Sequence, residues 1–344
     1  MSFSAIANQE YAKAQLIADL TAQHFPSYLF VGPKGVGKRT TALVLAKALC
    51  CENKLLDSCD NCYRCKAIEN LTYPEVKIIF PVPPNTEEKD IFELQKEYAY
   101  NKMRPESPSN GTISIDRIRE LKYEMGFPPI AGRRRVVIIL DADKMTPEAA
   151  NSFLKTLEEP QAQTSFILTT ERSSAILATI RSRCQMIRFF GIKASVVATY
   201  LEQKKGVGKE KAVIAGEVCE GSMRRALEYI KAPEQFLAQE VKEWFENKES
   251  IKSNLSTVSL KLKDAPIGPL INSLLFIYRQ AILAKLGIRS YYSAVCQNLI
   301  DPENKISLDT LLAKLEYLLK TIGDAELYLN KRLFIHSILV HLLA

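Results

Sequence analysis

The chain has 344 residues, enough for two or three domains at roughly 100–200 residues each. Hydrophobic residues make up 47% and charged residues 25%, which describes a globular protein with a sizeable core. No run approaches the ~18 apolar residues of a membrane helix. The first ten residues lack the basic-then-apolar order of a secretory leader, so the expected location is the cytoplasm and no membrane partner is expected. A formal net charge of +7 is compatible with a nucleic-acid partner without requiring one.

In chain order, residues 28–31, 76–80, 136–140 and 165–169 read as short continuous apolar strands, separated by helical patterns such as 38–50 and 114–125. Such strands are apolar on both faces and belong to a parallel sheet covered by helices, so the expected class is α/β. Residues 82–112 interrupt the rhythm with five prolines (81, 83, 84, 105 and 108 in or beside it) and an Asn-Gly pair, and read as an insertion, helical in part between 87 and 100. Beyond 190 no strand is expected. Helical patterns cover 194–204, 209–219 and 223–230, then continue from about 235 to a last apolar-striped helix over 325–343. The expected organisation is an α/β nucleotide-binding-like domain over 1–190, a small helical lid over 191–234 and an all-α collar over 235–344.

Gly32-Pro33-Lys34-Gly35-Val36-Gly37-Lys38 follows a strand and opens a helix, the context a phosphate-binding loop requires. Its glycines let backbone N–H groups form an anion nest, and Lys38 would reach the outer phosphates of a nucleotide such as ATP. The next residue in a working loop is Ser or Thr, whose hydroxyl binds Mg²⁺. Here it is Arg39, a cation where the metal would sit, and Thr40 points about 100° away around the helix. The strand ending in Asp141 supplies the carboxylate that helps hold such a metal. Ala142 then stands where a water-activating glutamate is expected, and Asp143, one residue on, is expected to face the opposite side. The residues needed only for binding are kept, and those specific to hydrolysis are replaced.

Cys50, Cys59, Cys62 and Cys65 form a C-x8-C-x2-C-x2-C pattern in a polar segment, where core packing does not account for them. In a reducing compartment this predicts a structural zinc site, with Cys51 as a competitor for the place of Cys50. Cys184, Cys219 and Cys296 read as packing residues.

Taken together, these motifs resemble the AAA+ subunits of the bacterial clamp loader, the gamma/tau and delta-prime family of the DNA polymerase III holoenzyme. The cysteine knuckle after the phosphate-loop helix is similar to theirs. So are the 151–160 segment NSFLKTLEEP, the Ser182-Arg183-Cys184 motif and Gly221-Ser222-Met223-Arg224. The resemblance covers residues 1 to about 230 and implies an AAA+ P-loop domain, a helical lid and a helical oligomerisation collar. It implies that Arg183 is an arginine finger acting in trans, and that Thr170 and Arg224 are the first and second sensor positions. It further implies gamma/tau and delta subunits, a sliding clamp and primer–template DNA as partners in a hetero-oligomer. Arg39 and Ala142 with a retained Arg183 match the delta-prime pattern, a stator without turnover of its own. No tau-like extension is expected beyond residue 344.

Arg117, Arg119 and Lys122 on the 114–125 helix are candidate phosphate contacts to DNA, against the plainer reading of a solvated helix face. Two rival readings are an active gamma/tau-like motor and a zinc-bearing nucleic-acid-binding scaffold outside any clamp loader.

Overall fold

A computed structural model describes residues 2–343 except 54–55, 84–85, 87–89, 92–93, 95–110, 128, 130–133, 160–162, 232–266, 289–290, 302, 304 and 325–330. Contacts divide it into two compact units, residues 1–209 with 219–226, and residues 210–218 with 227–344.

The first unit is built on five parallel strands, β1 (Tyr28–Val31), β2 (Val76–Ile79), β3 (Arg135–Ile139), β4 (Thr164–Thr170) and β5 (Gln185–Arg188), in the order β2-β3-β4-β1-β5. Helices α1 (Glu10–Thr21), α2 (Lys38–Cys50), α3 (Tyr63–Glu69), α4 (Ile115–Met125), α5 (Pro147–Glu158), α6 (Ala178–Arg181) and α7 (Ala194–Lys205) complete it. Alternate strand residues go to opposite faces. Tyr28, Phe30, Val136, Ile138 and Ile167 join one cluster with Leu16, Ala42 and Leu45 of α1 and α2. Leu29, Val137, Ile139, Phe166 and Leu168 join another with Ile118, Leu121, Phe153 and Ile180 of α4, α5 and α6. Both faces of the sheet are covered, which is why its strands read as continuous apolar runs.

The expected α/β class and the four expected strands are found. β5 was not anticipated: it is an edge strand in which Ile187 alone is buried among polar or half-exposed neighbours, so it carries no apolar run. α2 spans the residues expected, and α4 begins one residue later than expected, after Ser114. In the 82–112 segment, Val82 and Thr112 bridge antiparallel at its base, and Ile91 and Leu94 pack on the first cluster. Most of the helix expected over 87–100 lies outside the described residues.

Helices α8 (Lys209–Val218) and α9 (Met223–Lys231) carry the chain past the unit boundary. The second unit continues with α10 (Ile267–Lys285), α11 (Tyr291–Ile300), α12 (Leu308–Asp324) and α13 (Lys331–Leu343). Leu270, Leu274, Ile277, Leu311, Leu318, Ile335, Ile338 and Leu339 are buried there. The turn between α11 and α12 is fixed by Asp301, whose carboxylate accepts the Lys305 and Ile306 N–H groups at 2.8 Å and pairs with Lys285 at 3.1 Å. The last helix was expected over 325–343. Residues 325–330 lie outside the described set, and Leu333, placed on the expected apolar stripe, is exposed.

Arg135 at the start of β3 pairs with Glu75 at 2.9 Å, both almost fully buried. Removing one partner of such a pair leaves an uncompensated charge in the interior. Glu75→Ala is expected to destabilise the chain by about 3–5 kcal/mol in urea unfolding, whereas Glu316→Ala, in an exposed pair with Lys320, should cost under about 1 kcal/mol.

Candidate nucleotide and metal sites

The functional side chains gather where strands end. The phosphate loop leaves β1 at Gly32, whose N–H donates to the Thr170 carbonyl at the end of β4. Gly35 and Gly37 take φ of +73° and +105°, conformations that favour glycine, and a Cβ at Gly35 would collide with the Ser222 hydroxyl. The Gly221–Arg224 segment therefore rests directly on the loop, with the Arg224 Cβ against Gly35 as well. Gln9, in a left-handed conformation before α1, donates to the carbonyls of Val36 and Phe190 and accepts from the Phe190 N–H. This buried amide ties the N-terminal segment to the phosphate loop and to the chain beyond β5. Sequence reading missed it, because a single Gln carries no spacing signal.

Lys38 is buried at the start of α2 and donates to the carbonyls of Gly32 at 2.5 Å and Pro33 at 2.7 Å. Burial pushes its ammonium down to a pKa of about 8. Arg39 Nη2 bonds Asp141 Oδ2 at 2.7 Å, with both side chains about four-fifths buried. The residues that would share a divalent cation in a working phosphate loop are thus bonded to each other, with a guanidinium in place of the hydroxyl ligand. The donor set does not fit Mg²⁺.

Asp141 has φ +50° and ψ +54°, so the chain leaves the strand direction there and enters a short 3₁₀ turn, Ala142–Lys144. Strand alternation no longer sets the direction of Asp143, which accepts a 2.7 Å hydrogen bond from the Thr170 hydroxyl. Ala142 is buried in the α4–α6 cluster. Thr170, the proposed first sensor, is itself fully buried; it also donates to the Arg172 carbonyl and accepts from the Arg172 N–H.

Arg183 lies just beyond α6, half-exposed, bonded to Glu158 at the end of α5 at 2.7 Å and to the Thr179 carbonyl at 3.0 Å. On α4, Arg117 pairs with Glu120, Arg119 with Asp116, and Lys122 with the Ser152 hydroxyl. The three bases are each engaged locally, two of them by acids of their own helix.

The cysteine cluster differs from expectation by one residue. The thiols of Cys51, Cys59, Cys62 and Cys65 lie within 4.8 Å of one another. Cys50, the last residue of α2, faces the sheet core and meets the Arg134 carbonyl at 3.6 Å instead. The helix ends at Cys50, and Cys51 takes the extended conformation that turns its side chain toward the knuckle. Cys59 and Cys65 sulfurs are 3.9 Å apart, close to the ~3.8 Å edge of a tetrahedron with 2.3 Å metal–sulfur bonds. Backbone N–H groups of Cys62 and Cys65 point at the Cys59 and Cys62 sulfurs. The N–H groups of Cys62 and Asn61 bring the Cys59 thiol down to a pKa of about 6. Lys47 of α2 anchors the knuckle through Asp60 at 3.1 Å and Glu69 at 2.7 Å. The set fits a tetrahedral thiolate metal site.

Residues 8–193, more than half of the chain, match the family described as DNA polymerase III, delta subunit. The chain belongs to this family. It is 33% identical over 163 residues to the DNA polymerase III subunit delta' of Bacillus subtilis, covering 47% of this chain and 41% of that protein. It is 34% identical over 164 residues to the delta' subunit of Pseudomonas aeruginosa, covering 47% and 42%. The tau subunit of Bacillus subtilis is 29% identical over 235 residues, covering 66% and 37%. The chain thus spans less than half the length of these curated relatives. A solved gamma-subunit-related protein of DNA polymerase III from Thermotoga maritima aligns over 97% of this chain and 98% of its own, with 19% identity and a TM-score of 0.44. The five-stranded parallel sheet with its phosphate loop after β1 agrees with the α/β fold read from the sequence.

Two measurements follow from the geometry. Metal content of the purified chain should fall from about one equivalent to none in Cys51→Ser and stay near one in Cys50→Ser, read by elemental analysis. Lys38 has a folded pKa below its unfolded one, so between about 8 and the ordinary lysine value the unfolded state binds more protons and stability rises with pH. The stability of the wild type minus that of Lys38→Met should accordingly increase from pH 7 to pH 10 in urea unfolding.

Proposed function

We propose that this chain is a stator subunit of the DNA polymerase III clamp loader, one that completes the ATP site of a neighbouring subunit without hydrolysing ATP itself. The observation that carries the reading is the Arg39–Asp141 pair beside a buried Ala142, which replaces both hydrolysis-specific groups of the cis site, while Arg183 stays at the surface. An arginine offered in trans stabilises charge developing on the transferred phosphoryl group and is worth about 10³–10⁵ in turnover. Arg183 would leave Glu158 for that phosphate, exchanging one anion for another. Arg224 would serve as the second sensor, against Gly35.

The names of the delta' and gamma/tau relatives support partners of the clamp-loader kind: gamma/tau and delta subunits, a sliding clamp and primer–template DNA. A collar role for the helices beyond residue 234 is supported by two exposed apolar pairs at heptad spacing, Leu312 with Leu319 on α12 and Leu333 with Val340 on α13. Such a stripe is what a helix–helix interface uses. The knuckle of Cys51, Cys59, Cys62 and Cys65 would hold zinc as a structural ion, since all four ligands come from the protein. Contact of Arg117, Arg119 and Lys122 with DNA would be to phosphates, and Asp116 and Glu120 on the same helix limit the charge it can offer.

In a ring reconstituted with a gamma/tau-type ATPase subunit, Arg183→Ala should lower DNA-stimulated turnover at the dependent site by at least about 10³-fold without preventing assembly, and the isolated chain should be inert. ATP hydrolysis by the isolated chain would favour the motor reading, and unchanged ring turnover would remove the trans role of Arg183.

A further inference from the structure

The knuckle is assembled from two pieces of chain. Cys51 follows the end of α2, while Cys59, Cys62 and Cys65 come from the loop into α3 and its first turn. An ion pair joins the pieces: Arg64 Nε meets Glu52 Oε1 at 3.0 Å. Glu52 is the chain neighbour of Cys51, and Arg64 stands between Cys62 and Cys65. The Arg64 side chain is only 13% exposed. Its Nη1 is buried and has no hydrogen-bond acceptor among the described residues. A buried N–H without an acceptor is costly, most of all on a charged group, so its presence calls for a cause.

The charge of a loaded knuckle supplies one. Four thiolates around a divalent ion leave an excess of negative charge. The backbone N–H groups of Cys62 and Cys65 bear on sulfurs, but they are dipoles and cancel no charge. Lys47, another buried cation beside the knuckle, is already shared by Asp60 and Glu69. Arg64 is held by Glu52, which is 37% exposed and weakened by solvent, and it has an N–H to spare. We propose that Arg64 is a positioning residue for the metal: its pair with Glu52 clasps the Cys51 segment to α3, and its guanidinium is the counter-charge of the metal–thiolate cluster. A planar guanidinium suits both tasks, since Nε can stay with Glu52 while the Nη groups face another anion.

The inference rests on the reading of the knuckle as a zinc site. Its test uses the full chain, with zinc affinity measured by competition against a chelator and the absorption spectrum recorded with Co²⁺ in place of zinc. The wild type is expected to bind both ions. Arg64→Met should weaken zinc by about 10–100-fold, the usual effect of losing a group that supports metal ligands. It should also move the thiolate-to-Co²⁺ charge-transfer band to longer wavelength, because thiolates without a positive charge nearby give up electrons more readily. Lost packing alone would lower affinity without moving that band. Arg64→Lys restores the charge and should return the band toward its wild-type place. Glu52→Gln opens the clasp but keeps the cation, so zinc should weaken with the band in place. Arg64→Gln keeps an N–H donor without the charge and should shift the band as Arg64→Met does, which decides the matter if Arg64→Met does not fold. Unchanged zinc affinity or an unmoved band in these Arg64 variants without charge overturns the proposal. A wild type that binds neither ion overturns the zinc reading of the knuckle, and the proposal with it.

Discussion

The architecture depends on the position of β1. It is hydrogen-bonded to β4 on one side and β5 on the other, and both its faces are buried, so the chain can leave it only along the strand axis. Gly32 is where it leaves, held by the Thr170 carbonyl. Parallel strands all end on the same edge, so Asp141, Thr170 and Phe189 arrive beside the loop from β3, β4 and β5. A site of four chain segments is thus placed by the sheet before any side chain is chosen.

The side chains at that edge differ from those of a hydrolytic site in how charge is balanced. In a working loop, a lysine and a mobile divalent ion face the phosphates, and carboxylates hold the ion. Here the second cation is covalently part of α2, the first carboxylate is its partner, and the next acid has been turned toward Thr170 by a left-handed residue at 141. The second positive charge is thus a fixed part of the chain rather than an exchangeable ion. A fixed geometry agrees with the proposed role, in which the contribution is presented outward, at Arg183.

The sequence made the class of fold legible because four strands are buried on both faces and therefore carry unbroken apolar runs. β5 was hidden because an edge strand needs only Ile187 inside. The phosphate loop and Asp141 were legible from spacing, and Arg39 could be seen to be wrong for a metal, but its partner could not be named until β3 and α2 were placed together. The cysteine assignment failed by one position. Spacing could not say whether the helix ended before or after Cys50, and the end of the helix decides which thiol turns out of the core. The partner of Asp143 could not be named from alternation, because the left-handed Asp141 ends the strand geometry before it. Gln9, bonded across 181 residues to Phe190, leaves no trace in any local pattern.

The separation of Arg39 and Ala142 bears on reversibility. Ala142 fills space in a packed apolar cluster, so a glutamate there would have to bury a carboxylate or break the 3₁₀ turn. Replacing Arg39 alone would strip Asp141 of its counter-charge in a mostly enclosed position. Each single step back toward a hydrolytic site first worsens the protein that takes it. Restoring hydrolysis-type residues at 39 and 142 would therefore require compensating changes around both positions at once, not a single exchange at either.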